Sequence, residues 1–244
     1  MRNIKITIRY DGTHYAGWQF QKNAPTVQAA IESAIKKVTG KKTNLIGSGR
    51  TDSGVHAKSQ IANFKTSSKL PLKNIHMALN CILPKDIVIW RAEETHPGFN
   101  SQHEAKTKTY RYTISNSNFV DPFIRRYAAK CFYDLDIKKM KKAALFLLGR
   151  HDFRSFQAKG GAQRDPVRTL YSIGIVKDGN LIYIDMKADG FLYNMARNIA
   201  GTLIEVGRGK ISAEKTKYIL AKKDRSFSGP TAPAHGLCLM KVRY

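Results

Sequence analysis

The chain has 244 residues, 42% of them hydrophobic and 25% charged, a composition that excludes a fibrous or low-complexity protein and predicts a globular one with a real core. Its 42 Lys and Arg against 18 Asp and Glu give a formal charge of +24, spread over both halves of the chain, which predicts a nucleic acid partner unless the surface is simply lysine-rich. Three widely spaced cysteines, no apolar leader and no run near the ~18 residues of a membrane span predict reduced thiols, no metal site, no membrane segment and a cytoplasmic protein.

Predicted strands and helices alternate over the first part of the chain. Alternating apolar residues in IKITIRY predict a half-buried strand, and an apolar stripe after Thr26 predicts a helix that Thr26 caps and Gly40 ends. A glycine-rich loop then leads into a strand near Gln60–Phe64, a helix over residues 70–83 and a strand over residues 86–94. This order indicates an α+β layer rather than a helical bundle.

A polar connection over residues 95–108 precedes a second set of predicted elements. These are a strand over 109–114, a helix over 137–148, a hairpin of strands over 170–176 and 181–188, a helix over 191–206, a short helix over 212–224 capped by Ser212, and a strand over 236–244. A glycine-rich, basic loop lies over residues 158–169. Because the second set repeats the mixed content of the first, we expect two similar lobes, residues 1–105 and 106–244.

The segment GSGRTDSGVHA, residues 47–57, contains the first candidate site. Arg50 and Asp52 are two residues apart and would share one side of an extended segment. A guanidinium beside a carboxylate keeps it ionised, as a nucleophile or base requires, and the glycines allow close approach of a substrate. The same letters also describe an ordinary turn, in which Asp and Ser bond to local backbone.

Two other segments offer candidates, each with a structural alternative. In KTKTYRYTI, Tyr110 and Tyr112 share one strand face and predict either a platform for stacking bases or plain core residues. In the helix over 191–206, Arg197 and Gly201 lie opposite the apolar stripe, where the glycine could let another surface approach or the arginine could simply face solvent. The histidines show no metal-ligand spacing, and the sequence does not pair His56 with Asp52.

Five motifs together resemble the TruA family of tRNA pseudouridine synthases. In chain order they are YDGTHYAGWQFQ, GSGRTDSGVHA, KTYRYTI, FLYNMARNIAGTLIEVGRGK and TAPAHGLCL. The resemblance runs in family order from about residue 4 to residue 242. It is carried by long, specific stretches and not by single residues.

The resemblance implies an α+β fold of two ferredoxin-like or RRM-like lobes, with mainly antiparallel sheets that meet at a basic cleft. It implies a homodimer that binds the anticodon arm of tRNA and isomerises uridine to pseudouridine at tRNA positions 38, 39 and 40. The reaction breaks the N1–C1′ bond, turns the uracil and rejoins it through C5. No cofactor is expected, because nothing is oxidised and no group comes from outside.

The resemblance also assigns roles to four residues. Asp52 matches the catalytic aspartate, Arg50 the arginine before it, and Arg197 an arginine that pairs with the aspartate. Tyr110 matches the tyrosine that packs on the target base. Whether Asp52 attacks C1′ or C6 or removes a sugar proton stays open, as do the roles of Asp11, Trp18 and Gln19. The rival hypotheses are a non-catalytic RNA-binding protein with RRM-like lobes and a different RNA-modifying enzyme such as a methyltransferase.

Overall fold

The computed structural model describes residues 1–160 and 165–244, which contain five α-helices and ten mostly antiparallel strands. They divide into unit 1, Met1–Lys106 with Leu239–Tyr244, and unit 2, Thr107–Cys238. Within the described residues, no helix is both long and apolar enough to cross a membrane. The predicted α+β class with mainly antiparallel strands is confirmed; the two-lobe architecture and its basic cleft stay predictions.

Unit 1 contains five strands and two helices. Its elements are β1 (Arg2–Tyr10), α1 (Val27–Thr39), β2 (Ile46–Gly47), β3 (His56–Thr66), α2 (Leu72–Ile82), β4 (Ile87–Thr95) and most of β10 (Leu237–Arg243). The strand order is β4-β1-β3-β10, with β2 paired to β3, and β1 is antiparallel to both neighbours. Alternate residues of β1, namely Ile4, Ile6 and Ile8, share one face of the strand and are fully buried in the core.

Unit 2 repeats the mixed arrangement, with five strands and three helices among its described residues. Its elements are β5 (Thr107–Ser115), β6 (Ala129–Lys130), α3 (Ile137–Leu145), β7 (Gly149–Asp152), β8 (Val167–Asp178), β9 (Leu181–Ala188), α4 (Met195–Gly207) and α5 (Lys215–Lys222). The order is β5-β9-β8-β7, all antiparallel, and the short β6 runs parallel to β5. Helix α4 packs on β5, so the helix that carries Arg197 lies against the strand that carries Tyr110.

Capping residues predicted the ends of α1, but the starts of α4 and α5 differ from the prediction. Thr26 accepts a hydrogen bond from the Ala29 N–H, and Gly40 ends α1 at φ 74°, as the sequence predicted. The prediction that α4 begins at residue 191 was wrong, because Asn194 has φ 58° and the helix starts at Met195. Ser212 accepts a hydrogen bond from the Lys215 N–H, but α5 begins two residues later than predicted from that cap.

The hydrophobic pattern of the sequence did not predict the shortest strands. The strands β2, β6 and β7 have two to four residues, too few for an alternation to be visible. The helix predicted over residues 137–148 ends at Leu145. Within the glycine-rich loop predicted over 158–169, residues 161–164 lie outside the described residues, and Val167 onward belongs to β8.

Candidate active site

The loop that carries Asp52 joins β2 to β3 in unit 1. Backbone atoms close its turn, because the Asp52 carbonyl oxygen accepts a hydrogen bond from the Val55 N–H at 3.2 Å. On the β3 side, Ser48 Oγ donates to Gln60 Oε1 and Gln60 Nε2 donates to the Gly49 carbonyl, both at 2.7 Å. The fully buried Gln60 therefore fixes the start of the loop, and Asp52 itself is half-buried.

The segment Tyr10–Trp18 supports this loop from the other side. Tyr10 Oη is hydrogen-bonded to Thr51 Oγ1 at 2.8 Å, and the Trp18 N–H donates to the Thr51 carbonyl at 3.0 Å. Gly17 has φ 94°, and a Cβ on it would lie 2.6 Å from the Thr51 carbonyl oxygen. The backbone next to Asp52 can be this close only because residue 17 has no side chain.

These contacts give structural roles to two residues whose function the sequence left open. Trp18 is 2% exposed and its indole occupies the space that a side chain on Gly47 would need. Asp11 Oδ1 lies 3.1 Å from Nδ1 of the buried His56, at the first residue of β3. Gln19 is exposed. The first sequence motif thus builds the support for the second.

Arg50 is exposed although it lies only two residues from Asp52. Its guanidinium is accessible from solvent beside the half-buried carboxylate.

Tyr110 and Tyr112 both lie on the buried face of β5. Tyr112 is fully buried and its Oη donates to the Pro233 carbonyl at 2.9 Å, which makes it a core residue. Burial raises the pKa of the Tyr112 phenol, and the nearby positive charge of Arg197 opposes that rise. Tyr110, nearer the start of the strand, is 7% exposed and packs edge to face on Phe191, with ring centroids 4.9 Å apart.

Arg197 is half-buried on the first turn of α4. Its Nε donates to the Ala232 carbonyl at 2.8 Å, and its Nη1 donates to Asn194 Oδ1 at 3.0 Å. The left-handed φ of Asn194, which asparagine tolerates better than most residues, places that acceptor beside the helix start. Two uncharged oxygens therefore help to direct the guanidinium, so the solvent-facing alternative does not describe it.

The surface that approaches Gly201 is the chain's own segment Gly229–Ala232. A Cβ on Gly201 would overlap the Pro230 carbonyl oxygen, and a Cβ on Gly229 would lie 2.8 Å from Cα of Thr202. The segment crosses α4 at these two glycines and presents the Ala232 carbonyl to Arg197. Sequence reasoning missed this support; the glycine opposite the apolar stripe was its one local signal.

The structure thus places Arg50 and Asp52 in one loop of unit 1, and Tyr110 and Arg197 on adjacent elements of unit 2.

A protein-family model described as tRNA pseudouridine synthase matches residues 6–101 and 143–244. The protein "tRNA pseudouridine synthase A 2" of Clostridium perfringens (strain 13 / Type A) is 50% identical over 244 residues, with 100% of both chains covered. "tRNA pseudouridine synthase A" of Thermoanaerobacter sp. (strain X514) is 49% identical with the same coverage, and that of Acetivibrio thermocellus is 46% identical, again over 100% of both chains.

Proposed function

Since the chain belongs to the tRNA pseudouridine synthase family, whose members are isomerases that act on uridine in tRNA, we propose that it makes pseudouridine at positions 38, 39 and 40 of the anticodon arm. The observation that carries the proposal is the end-to-end identity of 50% with a named tRNA pseudouridine synthase A. The motifs that resemble the TruA family include the ones that form the loop of Asp52 and the first turn of α4.

Asp52 is the reactive group in this proposal. A uridine stacked in a helical arm cannot be attacked, so it is first flipped out at a cost of a few kcal/mol. The carboxylate then attacks C1′ or C6, or removes a sugar proton, while the N1–C1′ bond breaks. The freed uracil turns, and its C5 bonds to C1′ as the carboxylate is released or the sugar proton is returned. The C5 proton then leaves and N1 gains a proton. Two features support the assignment: the loop is rigidly held by Gln60 and Thr51, and its turn is closed by backbone.

The other three residues surround the reacting base. Arg197, directed by the Ala232 carbonyl and Asn194, pairs with the ionised Asp52 and holds it negative. Arg50, exposed beside Asp52, contacts the flipped nucleotide, where a fork of N–H donors suits a phosphate. Tyr110, held edge to face by Phe191, supplies a wall against which the uracil packs while it turns.

The remaining features of the proposal follow from the resemblance and the charge. The two predicted lobes meet at a basic cleft, and the enzyme works in the cytoplasm as a homodimer. The excess of lysine and arginine side chains, which gives the net charge of +24, binds the phosphates of the tRNA backbone.

Mapping pseudouridine in an unmodified tRNA transcript tests the proposal. After incubation with the purified, dialysed protein, we expect pseudouridine at positions 38, 39 or 40 wherever the transcript has uridine there. A transcript with cytidines at these positions is the matched control. A non-catalytic RNA-binding protein would leave both transcripts unchanged, and a methyltransferase would be inactive without an added methyl donor; either result rejects the proposal.

A further inference from the structure

The direction of Arg197 depends on the segment Gly229–Ala232, and that segment is itself held by a second arginine. Arg225 lies in a 3-10 turn after α5, outside every motif that the sequence singled out. Its Nη2 donates to Thr231 Oγ1 at 3.0 Å and to Asn198 Oδ1 at 3.1 Å. Its Nη1 donates to Ser228 Oγ at 2.9 Å. One guanidinium thus joins the start of the segment, its centre and helix α4.

The network closes on itself around Asn198. Thr231 Oγ1 donates to the same Asn198 Oδ1 at 2.7 Å, so Arg225, Thr231 and Asn198 form a triangle. Asn198 is fully buried, and its Nδ2 donates to the Phe156 carbonyl at 2.8 Å, which leaves no freedom to turn the amide. Two residues of the triangle, Asn198 and Thr231, are the direct sequence neighbours of Arg197 and Ala232.

Backbone contacts continue the network to Arg197. The Gly229 N–H donates to Oγ1 of the fully buried Thr202 at 2.9 Å, and the Ala232 N–H donates to the Arg197 carbonyl at 3.2 Å. Between them, Pro230 rests against Gly201. A shift of Thr231 would therefore move the Ala232 carbonyl, which accepts the hydrogen bond from Arg197 Nε.

We propose that Arg225 is a positioning residue for the reaction, which acts through Thr231, Asn198 and the Ala232 carbonyl to hold the guanidinium of Arg197 in its working direction. This inference rests on the proposed function, in which Arg197 pairs with Asp52.

An arginine is needed here for its shape more than for its charge. Its terminal nitrogens donate to three side-chain oxygens, of Ser228, Thr231 and Asn198, all of them uncharged. Burial lowers the pKa of Arg225, the direction expected of a cation that is desolvated without a compensating carboxylate. A planar fork reaches all three acceptors at once, whereas an ammonium or an amide cannot.

Single-turnover kinetics on tRNA test the proposal. Arg225→Gln should lower the rate constant at saturating enzyme at least tenfold and change the tRNA dissociation constant less than threefold, because the residue acts on Arg197 and not on RNA. Arg208→Gln is the matched control: Arg208 is another half-buried arginine of unit 2, bonded to Glu205 at the other end of α4. It should stay within about twofold of wild type. Equal behaviour of the two variants overturns the proposal.

A double-mutant cycle separates positioning from a general loss of structure. In an Arg197→Lys background, which already removes the Nε–H that donates to Ala232, Arg225→Gln should change the rate less than twofold. The same tenfold loss in both backgrounds would mean that Arg225 does not act through Arg197.

Two milder substitutions, both at Thr231, test the proposal if the Arg225→Gln protein does not fold. Thr231→Val keeps the shape and removes the hydroxyl, and should lower the rate several-fold, whereas Thr231→Ser keeps the hydroxyl and should restore it. A wild-type rate in Thr231→Val overturns the proposal. An inactive wild-type enzyme would instead reject the proposed function, so the two failures are distinguishable.

Discussion

At the scale of single residues, hydrogen bonds to uncharged oxygens help to direct two arginines of unit 2, Arg197 and Arg225. Arg197 is aimed by the Ala232 carbonyl and Asn194, and Arg225 by Asn198 and two hydroxyls. Hydrogen bonds to neutral oxygens orient a guanidinium and do not cancel its charge, which suits a group that stabilises a reactive carboxylate.

Substitutions of Tyr110 test whether its ring is the wall against which the flipped uracil packs. Tyr110→Phe keeps the ring and should retain most capture of the flipped uridine, whereas Tyr110→Ala should weaken it by about 1–3 kcal/mol, roughly five- to 150-fold in affinity. Single-turnover titrations of enzyme against tRNA measure this.

Tyr112 is the matched control for Tyr110, because it lies on the same face of β5 but is fully buried. Tyr112→Phe removes the hydrogen bond to the Pro233 carbonyl and should lower the melting temperature while tRNA capture stays near wild type. If Tyr110→Phe and Tyr110→Ala capture tRNA equally well, the ring is not the wall that we propose.

At the scale of elements, the crossing of α4 by the segment Gly229–Ala232 makes a prediction about Gly201. A Gly→Ala change inside a helix ordinarily stabilises it by about 1 kcal/mol. At Gly201 the new Cβ would overlap the Pro230 carbonyl oxygen, so we expect Gly201→Ala to destabilise the protein by about 1–3 kcal/mol and to slow the reaction. Thermal denaturation and single-turnover rates measure the two effects.

Gly174, in β8, is the control for Gly201 because a Cβ there meets no heavy atom within 4 Å. Gly174→Ala should leave both the melting temperature and the rate close to wild type. A Gly201→Ala protein that is as stable and as fast as wild type would show that the segment does not need its close approach to α4.

The same elements show how far sequence reasoning reached. Periodicity and caps predicted α1 with its Thr26 and Gly40 ends, because these signals are local. The start of α4 was missed because the left-handed Asn194 is set by its contact with Arg197 as well as by its own preference. The support of Asp52 by Gly17 and Trp18 needs residues more than 30 positions apart, and no local pattern carries it.

The candidate site was predictable in part for the same reason. The sequence marked Asp52 and Arg197 by their neighbours, and it predicted that Arg50 and Asp52 share one side of an extended segment. Spacing of two residues places side chains on one side only in an extended strand, and residues 50–52 belong to a loop between β2 and β3. Arg225 could not be found at all, because its partners are assembled by tertiary contacts.

At the scale of the whole molecule, the charge of +24 predicts how tRNA affinity depends on salt. If 6–10 phosphates are neutralised, affinity should fall by about 10³–10⁵ between 50 and 200 mM monovalent salt at constant Mg²⁺. The rate at saturating enzyme should change little, because salt screens binding and not the enclosed chemistry. An affinity that is insensitive to salt would remove the electrostatic account of tRNA binding.

The central claim is that Asp52 carries out the isomerisation, and release of tritium from tRNA that contains [5-³H]uridine tests it most directly, because C5 loses its hydrogen when it becomes the glycosidic carbon. We predict full release by the wild-type protein and none above background by Asp52→Asn, with tRNA binding retained within about threefold. Tritium release by Asp52→Asn at the wild-type rate would contradict the account.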